Sequence, residues 1–332
     1  MLSRPLIARG RAADLLHASA STHVVVIGDA MLDVYLRGDV ERVSPEAPVP
    51  VVRVREHRDA LGGAANVAHN VLALGAKCTL VAAVGSDAAG RRIGELVSGL
   101  GASGGALVSV ARPTTTKTRV VARAQQLLRF DEEEDADLSG ADAARLLHAA
   151  LTAVDTAHAV VLEDYNKGVL TPAVIEGVIA RATARKIPVV VDPKYRHFFA
   201  YRGATVFKPN RRELEAALGA AMDLDHPEAM RNAFTRLGCE HLLLTLGERG
   251  MTLLSADGGA LVIPTTAREV YDVVGAGDTV TAYLATMLAA GATAREAAVI
   301  ANFAAGVEVG KLGAQVVRAA EVLNAYEENM RV

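Results

Sequence analysis

The chain has 332 residues, 51% of them hydrophobic and 22% charged, with 35 Lys and Arg against 38 Asp and Glu for a formal charge of -3. That composition is globular, enough for one large or two average domains, and excludes disordered, collagen-like and coiled-coil chains. Aromatic residues are only 4% and Trp is absent, so the core has to be aliphatic, and neither a basic stripe for nucleic acid nor an apolar run of the ~18–20 residues that span a membrane is present.

Arg4, Arg9 and Arg11 precede the first acid, Asp14, without an apolar secretion segment behind them, and read as a short surface helix leading into the first strand. Val24 to Ile27 is a continuous β-branched run ending at Gly28, the pattern of a strand buried on both faces of a parallel sheet. Comparable runs recur at Thr79 to Val84, Ala159 to Leu162, Pro188 to Val191 and Leu242 to Leu246. Helical periodicity fills the spaces between them at Ala64 to Leu74, Ala88 to Leu100, Ala141 to Val154, Pro172 to Ala184 and Glu228 to Leu237. Thr279 onward is almost wholly helical. The alternation predicts an α/β fold, a doubly wound, mainly parallel sheet with helices on both faces.

Two segments break the rhythm. Residues 35–55 hold Pro45, Pro48 and Pro50 and end in alternating Val and Arg, and residues 114–130 alternate in part with many cations. Both predict a small β lid with one covered face. The acidic run Asp131 to Asp137 reads as a solvated loop. Cys78 and Cys239 stand far apart in apolar surroundings, with no ligand spacing around them, which fits buried thiols in a reducing cytoplasm.

Chemistry concentrates in Asp272-Val273-Val274-Gly275-Ala276-Gly277-Asp278-Thr279, ahead of an apolar helix. Two glycines at a helix mouth leave backbone N–H groups open to an anion. An acid directly after them repels the anion but can accept the proton of a hydroxyl attacking it, the pairing phosphoryl transfer requires. A glycine-rich turn with an ordinary first-turn acid is the alternative. A Walker loop is excluded, because Gly306 to Gly310-Lys311-Leu312 has three intervening residues and no hydroxyl after Lys. A dinucleotide fingerprint is excluded as well, since Gly28 is followed by Asp29-Ala30-Met31. Gly62-Gly63-Ala64-Ala65-Asn66 opens another helix, where Asn66 suits sugar hydroxyls or simply sits on its surface. Asp29 and Asp33 follow the carboxyl end of the first strand, as ligand-gripping acids or as turn caps.

Taken in order with Asn210-Arg211-Arg212-Glu213 and Thr245-Leu246-Gly247, these motifs resemble the ribokinase and phosphofructokinase-B family of sugar kinases from about residue 22 to about 327. The resemblance implies a ribokinase-like sheet with a β lid, ATP, Mg²⁺ and in-line attack by a sugar hydroxyl. Arg42 to Val52, Leu61 to Ala68, Gln125 to Arg129 and Glu269 to Val273 are similar to one branch, the D-glycero-β-D-manno-heptose 7-phosphate kinases, which phosphorylate the C1 hydroxyl on the route to ADP-heptose and lipopolysaccharide. Carried over, Asp278 is the catalytic base and Gly275, Ala276 and Gly277 form the anion hole. Asn210 and Glu213 organise the ATP phosphates and Mg²⁺, with Glu213 acting through water, and Thr245, Gly247 and Asn302 lie near the nucleotide. Asp33, Gly62, Gly63, Asn66 and Gln126 lie on the sugar side. Val274 departs from the Thr common there, so any role for a hydroxyl at that position is lost. Some relatives also hold a monovalent cation beside the anion hole, which this sequence leaves open.

A phosphorylated sugar needs cations. By strand parity Lys117, Arg119 and Arg123 share one lid face, with edge protection as the alternative use of such charges. Lys117 and Arg123 are the candidates for the remote phosphate, with Lys167 near the same cleft. The expectation is a single cytoplasmic sugar-kinase domain over 1–332, homodimeric through the lid. With no His-x-Gly-His in the chain, a nucleotidyltransferase domain is not expected. A kinase for another sugar or sugar phosphate, such as fructose 6-phosphate, and a non-catalytic sugar-binding protein are the competing readings.

Overall fold

A computed structural model describes residues 7–102, 106–123, 125–221, 227–267 and 269–329, so the Arg4 reading lies outside the described residues. Helix α1 (Arg9–Ala18) turns Ala12, Leu15 and Leu16 inward and leads into β1 (His23–Gly28). The chain leaves the body as β2 (Ala30–Val43) and β3 (Pro50–Gly63) and returns as α2 (Ala64–Ala73), β4 (Lys77–Gly85), α3 (Ala88–Gly99) and β5 (Ala106–Val110). It goes out again as β6 (Thr116–Ala122) and β7 (Gln125–Glu132). Alternation then resumes through α4 (Gly140–Val154), β8 (Ala159–Glu163), α5 (Pro172–Arg185), β9 (Val189–Asp192), β10 (Val206–Phe207), α6 (Arg211–Leu218), α7 (Pro227–Leu237) and β11 (His241–Thr245). An edge hairpin, β12 (Met251–Ser255) and β13 (Ala260–Ile263), precedes α8 (Ala276–Ala289), α9 (Ala294–Glu308) and α10 (Ala319–Asn329).

The main sheet runs β13-β12-β11-β10-β9-β8-β1-β4-β5, parallel except for its last antiparallel hairpin. Val24 to Ile27 are completely buried because β1 is central, and successive side chains enter opposite layers. Val24 and Val26 join the core under α2 and α8, while Val25 and Ile27 join the core under α4 and α5. The mixed α/β architecture is the expected one. Helix starts are chemically marked: Asp87 caps α3, Thr171 with Pro172 opens α5, and capping boxes open α6 and α9.

The strand order reverses between β1 and β8, and the carboxyl ends there form the crevice where open α/β sheets take ligands. Over that crevice stands the second sheet, β3-β2-β6-β7. Its strands reach further into the body than the breaks at 35 and 55 implied, because apolar Met31 and Leu32 at the root of β2 are buried. Gly38 accompanies a register shift in the β2–β3 pair, and a Cβ there would lie 2.1 Å from the Arg53 carbonyl oxygen.

The acidic run is not simply solvated. Asp131 closes β7 and pairs with Lys117 and Arg129, Glu133 binds Lys117 and Lys167, and Asp137 meets Arg196 and His197. Cations dispersed over 80 positions of sequence converge on it, which local composition does not reveal.

Candidate active site

Helix α8 begins directly after Gly275, whose φ of 97° is a left-handed conformation that favours glycine. The first N–H groups of the helix have no intrahelical acceptor and no side-chain cap. The Ala276 N–H reaches the Val273 carbonyl at only 3.4 Å, and Thr279 N–H closes onto the Gly275 carbonyl at 2.9 Å. A Cβ on Gly277 would meet Asp192 Oδ2 and Lys208 Nζ, each at an ordinary 3.9 Å. The protein itself therefore does not require glycine at 277; the missing side chain leaves the helix mouth open to a ligand.

Asp278 lies in this first turn, 6% exposed. The Asn66 side-chain amide donates to its Oδ2 at 2.7 Å and the Tyr165 hydroxyl donates to its Oδ1 at 2.9 Å. Helix α2 packs on α8, which is how a residue of the Gly62-Gly63 helix reaches the acid. Burial pushes the Asp278 carboxyl up to about 6, the two hydrogen bonds pull it down and the Asp192 charge pushes it further up. Asn66 thus orients the Asp278 carboxylate.

Glu163 and Asp192 end β8 and β9 as register partners, and with Asp278 they bring carboxylate oxygens within 4.8 Å of one another. Lys208 Nζ donates to Asp192 Oδ2 at 2.7 Å and the Thr281 hydroxyl donates to it at 3.3 Å. Both Glu163 oxygens are buried without a hydrogen-bond partner, and burial with the Asp192 and Asp278 charges raises its pKa well above the carboxylate range. Oxygen donors in this number suit a hard divalent cation. Glu213 is less open: its side chain accepts from the Asn210 N–H at 2.8 Å, completing a capping box, and pairs with Lys194. Lys194 also lies 5.2 Å from the Tyr165 ring centroid.

Asn210, Thr245, Gly247 and Asn302 line one cavity of about 610 Å³, and Ala276 and Gly277 line it as well. Asn302 donates to the Pro264 carbonyl at 2.8 Å and so ties down the segment after β13. Four of the five residues expected at the nucleotide thus share a cavity with the helix mouth; the fifth, Glu213, is not among its lining residues. Glu308 lies behind that mouth, 3.2 Å from where a Gly275 Cβ would be, with both oxygens buried and unpartnered. Burial, then Asp272 and Asp278, push it up to about 8.

On the lid side, Asp33 is buried and pairs with Arg119, whose guanidinium lies 5.3 Å from the Tyr35 ring centroid. A Cβ on Gly62 would collide with Asp33 Oδ2 and Met31 Cγ at 2.7 Å, and one on Gly63, at φ 56°, with the Asp29 carbonyl oxygen at 2.3 Å. Asp29 holds the loop after β8, accepting from the Tyr165, Lys167 and Val169 N–H groups. Lys117 and Lys167 do come together, on Glu133. Arg123 does not join them. β6 keeps its alternation against β2 only as far as its last residue, Ala122, and Arg123 sits exposed at the turn that follows, with φ 48°, so strand parity does not extend to it. Gln126 is exposed on β7, opposite Val121.

Residues 21–320 match the model of the pfkB family carbohydrate kinases. The chain belongs to the pfkB family of carbohydrate kinases. It is 46% identical over 325 residues to the bifunctional protein HldE of Rhodospirillum rubrum, covering 95% of this chain and 64% of that protein. It is 47% identical over 314 residues to the HldE of Caulobacter vibrioides, covering 93% and 64%. The chain thus spans about 64% of the length of these relatives. The fold is shared with tetrameric inhibited phosphofructokinase-2 of Escherichia coli, at TM-score 0.75 and 17% identity over 94% of this chain and 99% of that one. It is shared too with Arabidopsis thaliana ribokinase solved with ribose and ATP, at TM-score 0.69 and 21% identity over 92% and 98%.

For a pfkB kinase, the residues that sequence reasoning missed are Glu163, Asp192, Lys208 and Tyr165. The available signal was positional: Glu163 and Asp192 each close an apolar run at a strand's carboxyl end, where this fold class gathers ligand groups. Among the described residues no helix of this kinase is long and apolar enough to cross a membrane.

Proposed function

We propose that this chain transfers the terminal phosphoryl group of ATP to the C1 hydroxyl of D-glycero-β-D-manno-heptose 7-phosphate, giving the 1,7-bisphosphate for ADP-heptose and lipopolysaccharide core synthesis in the cytoplasm. The observation that carries the reaction type is the buried Asp278, oriented by Asn66 and Tyr165 at an uncapped helix N-terminus that opens into the 610 Å³ cavity. Support for the substrate is the resemblance of Arg42 to Val52 and Gln125 to Arg129 to heptose 7-phosphate kinases, in a chain 46% identical to an HldE protein.

ATP occupies the cavity lined by Thr245, Gly247 and Asn302, its phosphates toward Gly275, Ala276 and Gly277 and toward Lys208. The backbone N–H groups of that turn receive charge that develops on the transferred group. Asp278 accepts the proton of the attacking hydroxyl, while Asp33, Asn66 and the backbone at Gly62 and Gly63 hold the sugar. Mg²⁺ would be held by Asp192 and Glu163, with Glu213 reached through water, and would neutralise phosphate charge when bound. A monovalent cation beside the anion hole would find the unpartnered carboxylate of Glu308. Lys117 and Lys167 take the remote phosphate. The exposed apolar residues Leu128, Phe130 and Val54 of the lid strands pair two copies into a homodimer, which sedimentation at micromolar concentration would show as a dimer rather than a monomer.

The deciding experiment is product analysis by ³¹P and ¹H NMR after incubation with ATP and the heptose 7-phosphate. New phosphate on C1 supports the reading; phosphate at another carbon, or a higher kcat/KM for fructose 6-phosphate, overturns it.

A further inference from the structure

One carboxylate joins two lysines that the sequence keeps apart. Glu133 Oε1 lies 2.7 Å from Lys167 Nζ and its Oε2 lies 3.3 Å from Lys117 Nζ. Lys117 belongs to lid strand β6, where it is the register partner of Asp33. Lys167 belongs to the loop after β8, two residues beyond the Tyr165 whose hydroxyl touches Asp278. The lysine pair therefore bridges lid and body along the wall of the same cleft, and both side chains are only 14–15% exposed.

Two ammonium groups brought together with little water repel each other unless an anion sits between them. Asp131 offsets part of the charge on Lys117, but it is also held by Arg129. Glu133 is thus the group that neutralises the shared position, and partial burial is outweighed by Lys167 and Lys117 in setting its lowered pKa. Its backbone follows the last ladder residue, Glu132, so no strand hydrogen bonds fix it and rotation of the side chain alone vacates the seat. A phosphate monoester carries more charge and more acceptor oxygens than a carboxylate, and the same two lysines would hold it more tightly.

We propose that Glu133 is a tethered counter-anion occupying the seat of the substrate's phosphate monoester between Lys117 and Lys167, and that the phosphorylated sugar binds by exchanging with it. This rests on the proposed sugar-phosphate kinase reading. The exchange sets specificity: a sugar without the phosphate has nothing to put between the lysines once Glu133 leaves, so Glu133 stays and the lid keeps its unliganded contacts.

Glu133→Gln removes the competing charge and keeps the shape. Inorganic phosphate is the probe, titrated calorimetrically into the full chain, with KM for the heptose 7-phosphate and for the unphosphorylated heptose measured in parallel. The expected result is a Kd for inorganic phosphate and a KM for the sugar phosphate both lowered about 3- to 10-fold, the scale of one partly exposed ion pair, with KM for the unphosphorylated sugar unmoved. Glu133→Asp, too short to reach both lysines, gives an intermediate shift, and Lys117→Gln and Lys167→Gln each weaken phosphate binding. Unchanged or weaker phosphate binding in both Glu133→Gln and Glu133→Asp overturns the proposal. If heptose 7-phosphate is not turned over at all while Glu133→Gln still tightens phosphate, the counter-anion stands and the substrate assignment falls.

Discussion

The side chains of Asn66 and Asp278, 212 positions apart, meet in a 2.7 Å hydrogen bond from the Asn66 amide to Asp278 Oδ2. With Tyr165 on the other oxygen, the carboxylate is held in one orientation beneath the helix mouth, ready to accept a proton without first reorganising. Both donors also favour the ionised form of an acid that burial would otherwise keep protonated.

The proposed base role of Asp278 predicts that activity is lost in acid, because the carboxyl must be ionised to accept a proton. With its carboxyl near 6, kcat/KM is expected to fall about tenfold per pH unit below that value and to level off above it. Tyr165→Phe removes a hydrogen bond that lowers the pKa, so the acid limb should move to higher pH. A pH–rate profile of the variant that overlays the wild type would remove Tyr165 from this role.

Gly277→Ala separates ligand space from folding. A Cβ there meets no protein atom closer than 3.9 Å, so the melting temperature should stay within about 2 °C of wild type. ATP binding should nevertheless weaken by about 10-fold or more as the methyl group intrudes on the N–H groups of the helix mouth. Unaltered ATP affinity by calorimetry would place the phosphates elsewhere.

Glu308 links stability to pH. Its folded pKa, about 8, is raised above the unfolded value, so the folded state holds the proton more tightly. The resulting stability is fully present below pH ~4.5 and is lost as pH rises through about 8. Glu308→Gln stays neutral and should be the more stable protein at pH 9, by on the order of 1–3 kcal/mol, in buffer free of alkali-metal cations. Urea unfolding across pH 5–9 measures this; parallel curves for the two proteins would contradict it.

Much of this was legible in local pattern. Val24 to Ile27 announced a central strand because four consecutive β-branched residues suit burial on both faces, and Gly275 to Asp278 announced a helix mouth with open backbone donors because its glycines leave the turn uncovered. What sequence could not show was cross-chain assembly. Glu163 and Asp192 become neighbours only through the β8–β9 register, and Lys117 and Lys167 only through the closure of the lid over the body. Strand parity misplaced Arg123 because β6 ends one residue earlier, at Ala122, and the chain turns there with Arg123 at φ 48°, where alternation no longer sets a side chain's face. The β12–β13 hairpin passed unnoticed although Asp257-Gly258 marks its turn, and β10 is too short, at two residues, to carry a periodic signal.

The proposed mechanism makes Asp278 the base and not an ATP-binding or structural residue. Asp278→Asn preserves the shape and removes the charge: its amide oxygen still accepts from the Asn66 NH2 group, while its own NH2 group faces Tyr165 and donates to the hydroxyl oxygen instead of accepting from it. Measured with the heptose 7-phosphate as acceptor, kcat should fall about 10²- to 10⁴-fold with the ATP dissociation constant within about threefold of wild type. A preserved kcat, or a loss explained by weakened ATP binding, would contradict it.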